Sequence, residues 1–439
     1  MIEAIRDTSE RTVSATRRLR GEVAVPGDKS ITHRALMFNA MASGTARVDD
    51  FLDSDDTRST IACLRALGAR IEEVPGGVVV HGQGRAGLHE PDDVLDCGNA
   101  GTAMRLLAGV VASLPFYTVL TGDASLRSRP MGRIVQPLGE LGVRIAGRKN
   151  NTLAPLAVQG GSIKGNRTVR TPVASAQVKS ALLIASLAAD GPVTVVEPAK
   201  SRDHTERMLS AMGVGIVEDG PSVTLTPLAG DLRAVDVRVP GDISTAAAWL
   251  VAGAVHPDAE IRLRGVGVNP TRTGIIDILR AMGASIEFQE ERVVGGEPVA
   301  DLVVRSSQLH GVEVFGDLVP RAIDELPLVA LCGALASGET VIREASELRV
   351  KESDRVATTA MLLRAFGAEV EERPDGMVVQ GRAKFHAATA ASHGDHRLAM
   401  LGAVAALMTG GGDSRILGAG DVAVSYPGFW DDLARLSGA

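Results

Sequence analysis

One phrase recurs along these 439 residues. A helix-like stretch meets a glycine beside a small or apolar residue and then becomes a strand. It reads LRALGARIEE from Leu64, PLGELGVRIA from Pro137 and RMLSAMGVGIVE from Arg207, then DILRAMGASIEF from Asp277 and LLRAFGAEVEE from Leu362. Its glycines, Gly68, Gly142, Gly213, Gly283 and Gly367, are separated by 74, 71, 70 and 84 residues. A fixed period marks a repeated structural unit. One more period predicts a sixth copy at the C-terminus, where DDLARLSGA stops before its strand.

A second shared piece lies upstream of each phrase. It is an Ala-rich helix ending near glycine and followed by a strand, as in NAMASGTARVDD, ASLAADGPVTVVEP, VAGAVHPDAEIRLRG and CGALASGETVIREA. Here glycine is the expected left-handed helix cap, and β-branched residues build the strand after it. The unit therefore reads β-α-β-α-β-β. Solenoid repeats are shorter, roughly 20–50 residues, so six such units are expected to group as three plus three in a two-domain α/β protein. The segment TRRLRGEVAVPG, from Thr16, is expected to supply a strand that the sixth unit lacks. That would put both termini in one domain. PGDK from Pro26 and PGDIS from Pro240 resemble each other and mark the two crossings. The expected division is 1–27 plus 241–439, with 28–240 inserted.

Aromatic residues make up only 3%, so the core must come from Ala, Val, Leu and Ile. A net charge of -7 argues against general nucleic-acid binding, which needs a basic footprint. It still allows a local cationic site, because field focusing is local. Three cysteines, Cys63, Cys97 and Cys332, fit a reducing compartment. Met1–Arg20 has no apolar signal-peptide segment. The longest apolar run, Ala181–Ala189, is too short to span a bilayer. The expectation is a cytoplasmic monomer with no membrane partner.

Polar residues cluster where helices begin. Lys29, Ser30 and Arg34 follow the strand GEVAVP and open a helix, where exposed N–H groups and the helix dipole favour anions. A capped, solvated helix start accounts for that segment equally well. Asn99, Gly101 and Arg105 lie in a second glycine-containing turn into a helix, and Arg129 sits in a turn with Arg127 and Arg133. Ser175 and Gln177 precede another apolar helix, Ser175 as its N-cap. Lys351, Glu352 and Arg355 share a helix entry, and Asp395 and Arg397 share the next. Taken singly, these are caps, ion pairs and surface charge. Equivalent positions in several repeats point instead to convergence on a strongly cationic site for polyanions.

Other motifs read as structure. Gly82–Gly87 fits G-x-G-x-x-G, but GVVVHGQG is matched by GMVVQGRA near Gly376, so it belongs to the repeat and not to a dinucleotide site. His393, Asp395 and His396 have no partner cluster at metal-ligand spacing, so no metal is expected. Cys97 reads as a small buried residue.

The motifs GDKSITHR, GNAGTAMR, SAQVKSALLIA, SRDHTERML, NPTRTG, AIDELP, LRVKESDR and DHR occur in this order. With them the chain resembles the EPSP synthase family from about Gly21 to Leu436, and its second bacterial class in ASAQVKSA and RDHTE. The resemblance implies a two-domain inverted α/β barrel-like fold with three units per domain. It implies an active site in the interdomain cleft, where the domains close over the substrates. It also implies transfer of the enolpyruvyl group of phosphoenolpyruvate to 3-phosphoshikimate, with no cofactor. By the same resemblance Lys29, Ser30, Arg34, Ser175, Gln177, Arg202, Asp324 and Lys351 hold phosphoshikimate. Lys29, Asn99, Gly101, Arg129, Gln177, Arg355 and Arg397 hold phosphoenolpyruvate. Asp324, Glu352 and Lys29 handle protons. Ala176 stands where the better-known class has a second serine. The nearest alternative, UDP-N-acetylglucosamine enolpyruvyl transferase, uses a Lys-Asn pair and a loop cysteine. Here Ser30 follows Lys29, and Cys97 lies in a different motif. An RNA 3′-phosphate cyclase would need a nucleotidyl-accepting histidine and RNA-binding charge, and a repeat scaffold would not need these polar helix entries.

Overall fold

The computed structural model describes residues 9–438. The chain forms two compact units. The terminal unit comprises residues up to Pro26, Gly241–Arg292 and Pro298 onward; the inserted unit comprises Gly27–Pro240 with Val293–Glu297.

Among the described residues each unit contains three small sheets, and five of the six follow one rule, the sixth having only three strands. A first strand runs parallel to a second, a third pairs with the second antiparallel, and a fourth completes a hairpin with the third. In the inserted unit, Leu95–Asp96 lies parallel to Tyr117–Thr121, followed by Leu153–Gln159 and Arg144–Gly147. Arg167–Arg170, Val193–Val196, Ser222–Thr226 and Gly215–Asp219 repeat the order. In the remaining sheet the parallel strands Leu232–Arg233 and Val237–Arg238 come from the end of the insertion and flank Ala42–Asp49. In the terminal unit, Glu313–Val314, Glu339–Ile342, Gly376–Gln380 and Glu369–Arg373 follow the rule unchanged.

The N-terminal strands differ from the expectation. Leu19–Val23, within the segment assigned to the sixth unit, instead lies parallel to Ala259–Gly267 and starts the fourth sheet. The sixth sheet, Thr389–Ala391 beside Asp413–Leu417, is completed by Glu10–Ser14 running antiparallel to the latter. Leu19 and Val23, in the fourth sheet, and Val13, in the sixth, are buried.

The helices fall into two classes. Lys29–Met41, Gly101–Ala112, Ala176–Ser186, Ile243–Val255, Leu326–Leu335 and His396–Leu407 are buried along nearly their whole length. Ile243–Val255 and Leu326–Leu335 are apolar nearly all round, as suits a helix surrounded by protein, whereas Lys29–Met41 and Ala176–Ser186 also bury Arg34, Asn39 and Lys179, each held by a partner. The second helix of each repeat buries one face, and the recurring glycine stands just past its C-cap residue. Gly68, Gly142, Gly213, Gly283 and Gly367 have φ of 93°, 91°, 103°, 99° and 101°. The next residue's N–H reaches back to Leu64, Leu138, Leu209, Leu279 or Leu363 at 2.9–3.1 Å. This closes the same left-handed cap each time. The sixth copy is Phe429–Ser437, capped by Gly438.

The glycine after the buried helices does not cap them. Lys29–Met41, Ile243–Val255 and Leu326–Leu335 end on the extended residues Ala42, His256 and Ala336. The chain therefore enters the following strand or turn without a left-handed step at the cap. Gly82 belongs to the strand Gly77–Gln83, and only a 3₁₀ turn, Arg85–Gly87, follows. No α-helix opens there to receive a pyrophosphate. Four of the twelve aromatic residues, Trp249, Tyr426, Phe429 and Trp430, gather at the last helix. Trp249 stacks on Phe429 and donates to the Tyr426 hydroxyl at 3.0 Å. Among the described residues no helix is long and apolar enough to cross a membrane.

Val13 is the one buried residue of Glu10–Ser14. Val13→Asp places an unpaired carboxylate there and should cost roughly 2–4 kcal/mol. Thr12→Ala, on the exposed face, should cost little. Urea unfolding midpoints check this; equal midpoints for wild type and Val13→Asp would refute the strand assignment.

Candidate active site

In the inserted unit, the first turns of three buried helices are tied together by side chains. Asp28 caps Lys29–Met41 by accepting from the Ile31 N–H, and the Asp28 N–H itself bonds the Pro240 carbonyl at 2.8 Å. Arg34 donates to the Ser30 carbonyl at 2.8 Å, to Ser180 Oγ at 2.7 Å and to Thr205 Oγ1 at 2.7 Å. Burial pushes the Arg34 guanidinium down to about 10, which still leaves it charged at neutral pH. Gln177 donates to Thr102 Oγ1 at 2.8 Å and accepts from Arg105 at 2.6 Å. The helix starts at Lys29, Gly101 and Ala176 therefore face the same end of the unit.

Arg129, expected in a surface charge cluster on the simplest reading, is only 8% exposed. Its guanidinium donates to Asn99 Oδ1, and Asn99 in turn donates to Asp123 at 2.8 Å. An added Cβ on Gly101 would lie 3.0 Å from Arg105 Nη1 and 3.3 Å from Arg129 Nη1. Gly101 is thus the floor on which two guanidinium groups sit. Lys29 pairs with Asp56 at 2.9 Å. Ser175 occupies the N-cap of Ala176–Ser186, yet its side chain makes no cap bond. Its N–H goes to Glu197 at 3.1 Å. Arg202 is half-buried in the loop before His204–Ala211.

In the terminal unit the corresponding helix starts hold a mixed network. Asp242 caps Ile243–Val255, and its N–H bonds the Pro26 carbonyl at 2.9 Å. Arg272 donates to Asp242 at 3.0 Å and to Ser244 at 2.7 Å. Ser244 donates to Glu325, and Arg397 Nη1 lies 3.9 Å from the same carboxylate. Arg355 is the hub. Its buried guanidinium reaches Asp395 at 2.7 Å, Asp324 at 3.0 Å and Glu352 at 2.7 Å. Lys351 Nζ stands 3.2 Å from Asp324. Burial alone would lower the Arg355 pKa, but the surrounding carboxylates overcome that and raise it. Burial alone would raise the Asp395 pKa, but Arg355 overcomes that and holds it below the ordinary aspartate range. Here the expectation of a strongly cationic site needs correcting. The inserted unit gathers an excess of cations, whereas the terminal unit interleaves its cations with Asp324, Glu325, Glu352 and Asp395.

The sequence matches the family described as EPSP synthase (3-phosphoshikimate 1-carboxyvinyltransferase) over residues 13–433. The chain belongs to that family. A relative from Roseiflexus sp. (strain RS-1), named 3-phosphoshikimate 1-carboxyvinyltransferase, is 54% identical and aligns over 97% of this chain and 99% of its own. A relative of the same name from Herpetosiphon aurantiacus is 51% identical over 98% and 100%. A solved EPSP synthase from Acinetobacter baumannii superposes with a TM-score of 0.86 at 41% identity, covering 98% of each chain. The enolpyruvyl transferase NikO from Streptomyces tendae shares the fold, with a TM-score of 0.77 at 19% identity. The UDP-N-acetylglucosamine enolpyruvyl transferase reading is thereby only that of a distant relative.

Site residues given no role from sequence are Thr102, Arg105, Asp123, Arg272 and Glu325. Arg105 had a signal: it lies four residues after Gly101, one helical turn along the same face. Arg272 and Glu325 had only their motifs, because the partners Asp242, Ser244 and Arg397 lie far away in sequence.

Asp395 both caps its helix at the Arg397 N–H and pairs with Arg355. Asp395→Asn should therefore cost about 3 kcal/mol at neutral pH. Because its folded pKa is depressed, its contribution is present above the unfolded value near 3.9 and fades as pH falls through the lower folded value. The variant's acid unfolding limb should be correspondingly shallower. Superimposable stability–pH curves would contradict this.

Proposed function

We propose that the protein transfers the enolpyruvyl group of phosphoenolpyruvate to the 5-hydroxyl of 3-phosphoshikimate, releasing phosphate. The observation that carries the reading is the Arg355 hub, where Asp324 and Glu352 share one guanidinium. Two carboxylates held so close, one also paired with Lys351, suit a reaction that moves two different protons.

The 5-hydroxyl of phosphoshikimate attacks the central carbon of phosphoenolpyruvate once the methylene carbon is protonated. The resulting tetrahedral adduct loses phosphate as a methyl proton is removed. Glu352 is assigned to the methylene and methyl proton, and Asp324 to the hydroxyl proton. Lys29 shares in this chemistry and bridges both substrates. Arg129 and Arg397, with Arg355, bind phosphate and carboxylate through fork geometry that lysine lacks. Asn99 orients Arg129, and Gly101 leaves the phosphoenolpyruvate side open. Ser30, Arg34, Ser175, Gln177, Arg202 and Lys351 hold phosphoshikimate. Fixed cations and dipoles stabilise the developing charge without reorganising. The reading requires both sets to act on one pair of substrates. All assigned residues lie in one chain, so a monomer suffices. Three buried free cysteines suit the reducing cytoplasm.

The deciding experiment is phosphate release that needs both 3-phosphoshikimate and phosphoenolpyruvate. Release with UDP-N-acetylglucosamine in place of phosphoshikimate would overturn the proposal. Asp324→Asn should cut kcat at least about 100-fold while both substrates still bind measurably; undiminished kcat removes Asp324 from the chemistry. Gly101→Ala pushes the Arg105 and Arg129 guanidiniums apart. It should raise the phosphoenolpyruvate KM about tenfold and the phosphoshikimate KM by a smaller factor, because Arg105 also holds Gln177. Equal shifts in both KM values would sink the clamp assignment.

A further inference from the structure

Three charged side chains are buried together under the phosphoshikimate residues, and the reaction as described uses none of them. Lys179 Nζ lies 2.9 Å from Glu197 Oε2 and 2.7 Å from Glu206 Oε1, with every side chain about 1% exposed. Burying charges is expensive unless they are paired and hydrogen-bonded. A fold keeps such a cluster at a cost, so its connections show what it holds in place.

The two carboxylates are connected differently. Glu197 accepts from the Ser175 N–H through Oε1 at 3.1 Å and from the Ser201 N–H through Oε2 at 3.3 Å. It also accepts from the Ser201 hydroxyl, at 2.7 and 2.9 Å. Lys179 donates to the Ser201 carbonyl at 3.3 Å. One carboxylate thus joins the start of the helix Ala176–Ser186 to the loop that presents Arg202. Glu206 meets the same lysine from the helix His204–Ala211.

We infer that Glu197 is a positioning residue that locks Ser175 and Arg202 into register for the phosphate of phosphoshikimate, with Lys179 as its counter-charge. This rests on the proposed function and deepens it. The phosphate has to be held by groups from two separate segments of chain. Their spacing is set before the substrate arrives, because both backbones are bonded to one immobile carboxylate. Both oxygens are needed: one serves Ser175 and the other the Ser201 backbone. A glutamine keeps only one acceptor oxygen, so Glu197→Gln must give up either the Ser175 N–H contact or the contacts to the Ser201 N–H and Lys179, which weakens the link between the two segments. It leaves Lys179 balanced by Glu206, so the buried charge stays neutralised.

The test compares Glu197→Gln with Glu206→Gln, which removes the same charge from the same lysine but leaves the Ser175–Ser201 link intact. Glu197→Gln should raise the KM for 3-phosphoshikimate roughly tenfold, the scale of one lost hydrogen bond to a charged group. The phosphoenolpyruvate KM and kcat at saturation should stay within about twofold. Glu206→Gln should leave both KM values near wild type, whatever its effect on the melting temperature. Equal KM increases for both substrates, or equal effects of the two variants, would overturn the inference. A wild-type protein that turns over neither substrate would overturn the proposed function instead, so the two failures are distinguishable. If Glu197→Gln does not fold, Ser201→Ala removes the hydroxyl contact alone. It should raise the phosphoshikimate KM selectively by a smaller factor, and an unchanged KM there would also count against the lock.

Discussion

A helix buried on every side can carry polar chemistry only at its ends. That constraint organises this protein. Six helices, three in each unit, are buried along nearly their full length. The polar side chains on their flanks, such as Arg34, Asn39 and Lys179, are held by partners inside the protein. The first turn is different: its N–H groups lack intrahelical partners and carry the positive end of the dipole. Lys29, Gly101, Gln177, Ser244 and Arg397 all lie in such first turns, as the packing demands.

The two units answer the constraint with different charge. In the inserted unit the helix starts are joined by Arg34, Arg105 and Gln177, and the carboxylates present serve as cap or partner. Cations prevail, as suits binding of phosphate groups. In the terminal unit one guanidinium is surrounded by three carboxylates. Arg355 there neutralises, in advance, carboxylates that would otherwise repel one another and an incoming anion. The division is chemical: one unit mainly binds, and the other also has groups able to move protons.

The repeat made most of this architecture legible. Gly68 and its four counterparts share one backbone state because a leucine carbonyl in the last helical turn needs the same partner every time. The motif residues stand at helix starts, where their types predicted them. What stayed hidden was whatever depends on distant pairing. Glu10–Ser14 is short and mostly polar, with only Val13 facing inward, so it has little strand signal of its own. It becomes a strand because Asp413–Leu417 offers it an edge. Glu197 looked like an ordinary residue after a strand, since nothing local shows that Ser175 and Ser201 converge on it. The difference between Arg355 as a ligand clamp and Arg355 as the centre of three carboxylates likewise depends on Asp395, forty residues on.

The strand exchanges explain why the chain can cross between units and still close every sheet. Each unit needs a parallel first strand before its first buried helix, and the chain provides none in sequence at the point of entry. In the inserted unit Leu232–Arg233 and Val237–Arg238, at the end of the insertion, fill that place beside Ala42–Asp49. In the terminal unit Leu19–Val23, before the insertion, does so beside Ala259–Gly267. A unit whose first sheet is finished by its last segment cannot be complete until the whole segment is present. The paired PGD sequences stand where these closures meet the helix starts. Asp28 and Asp242 each cap the first buried helix of their own unit while their N–H groups bond Pro240 and Pro26. One short motif, used twice, therefore ends a crossing, seals a sheet and starts a helix that carries site residues.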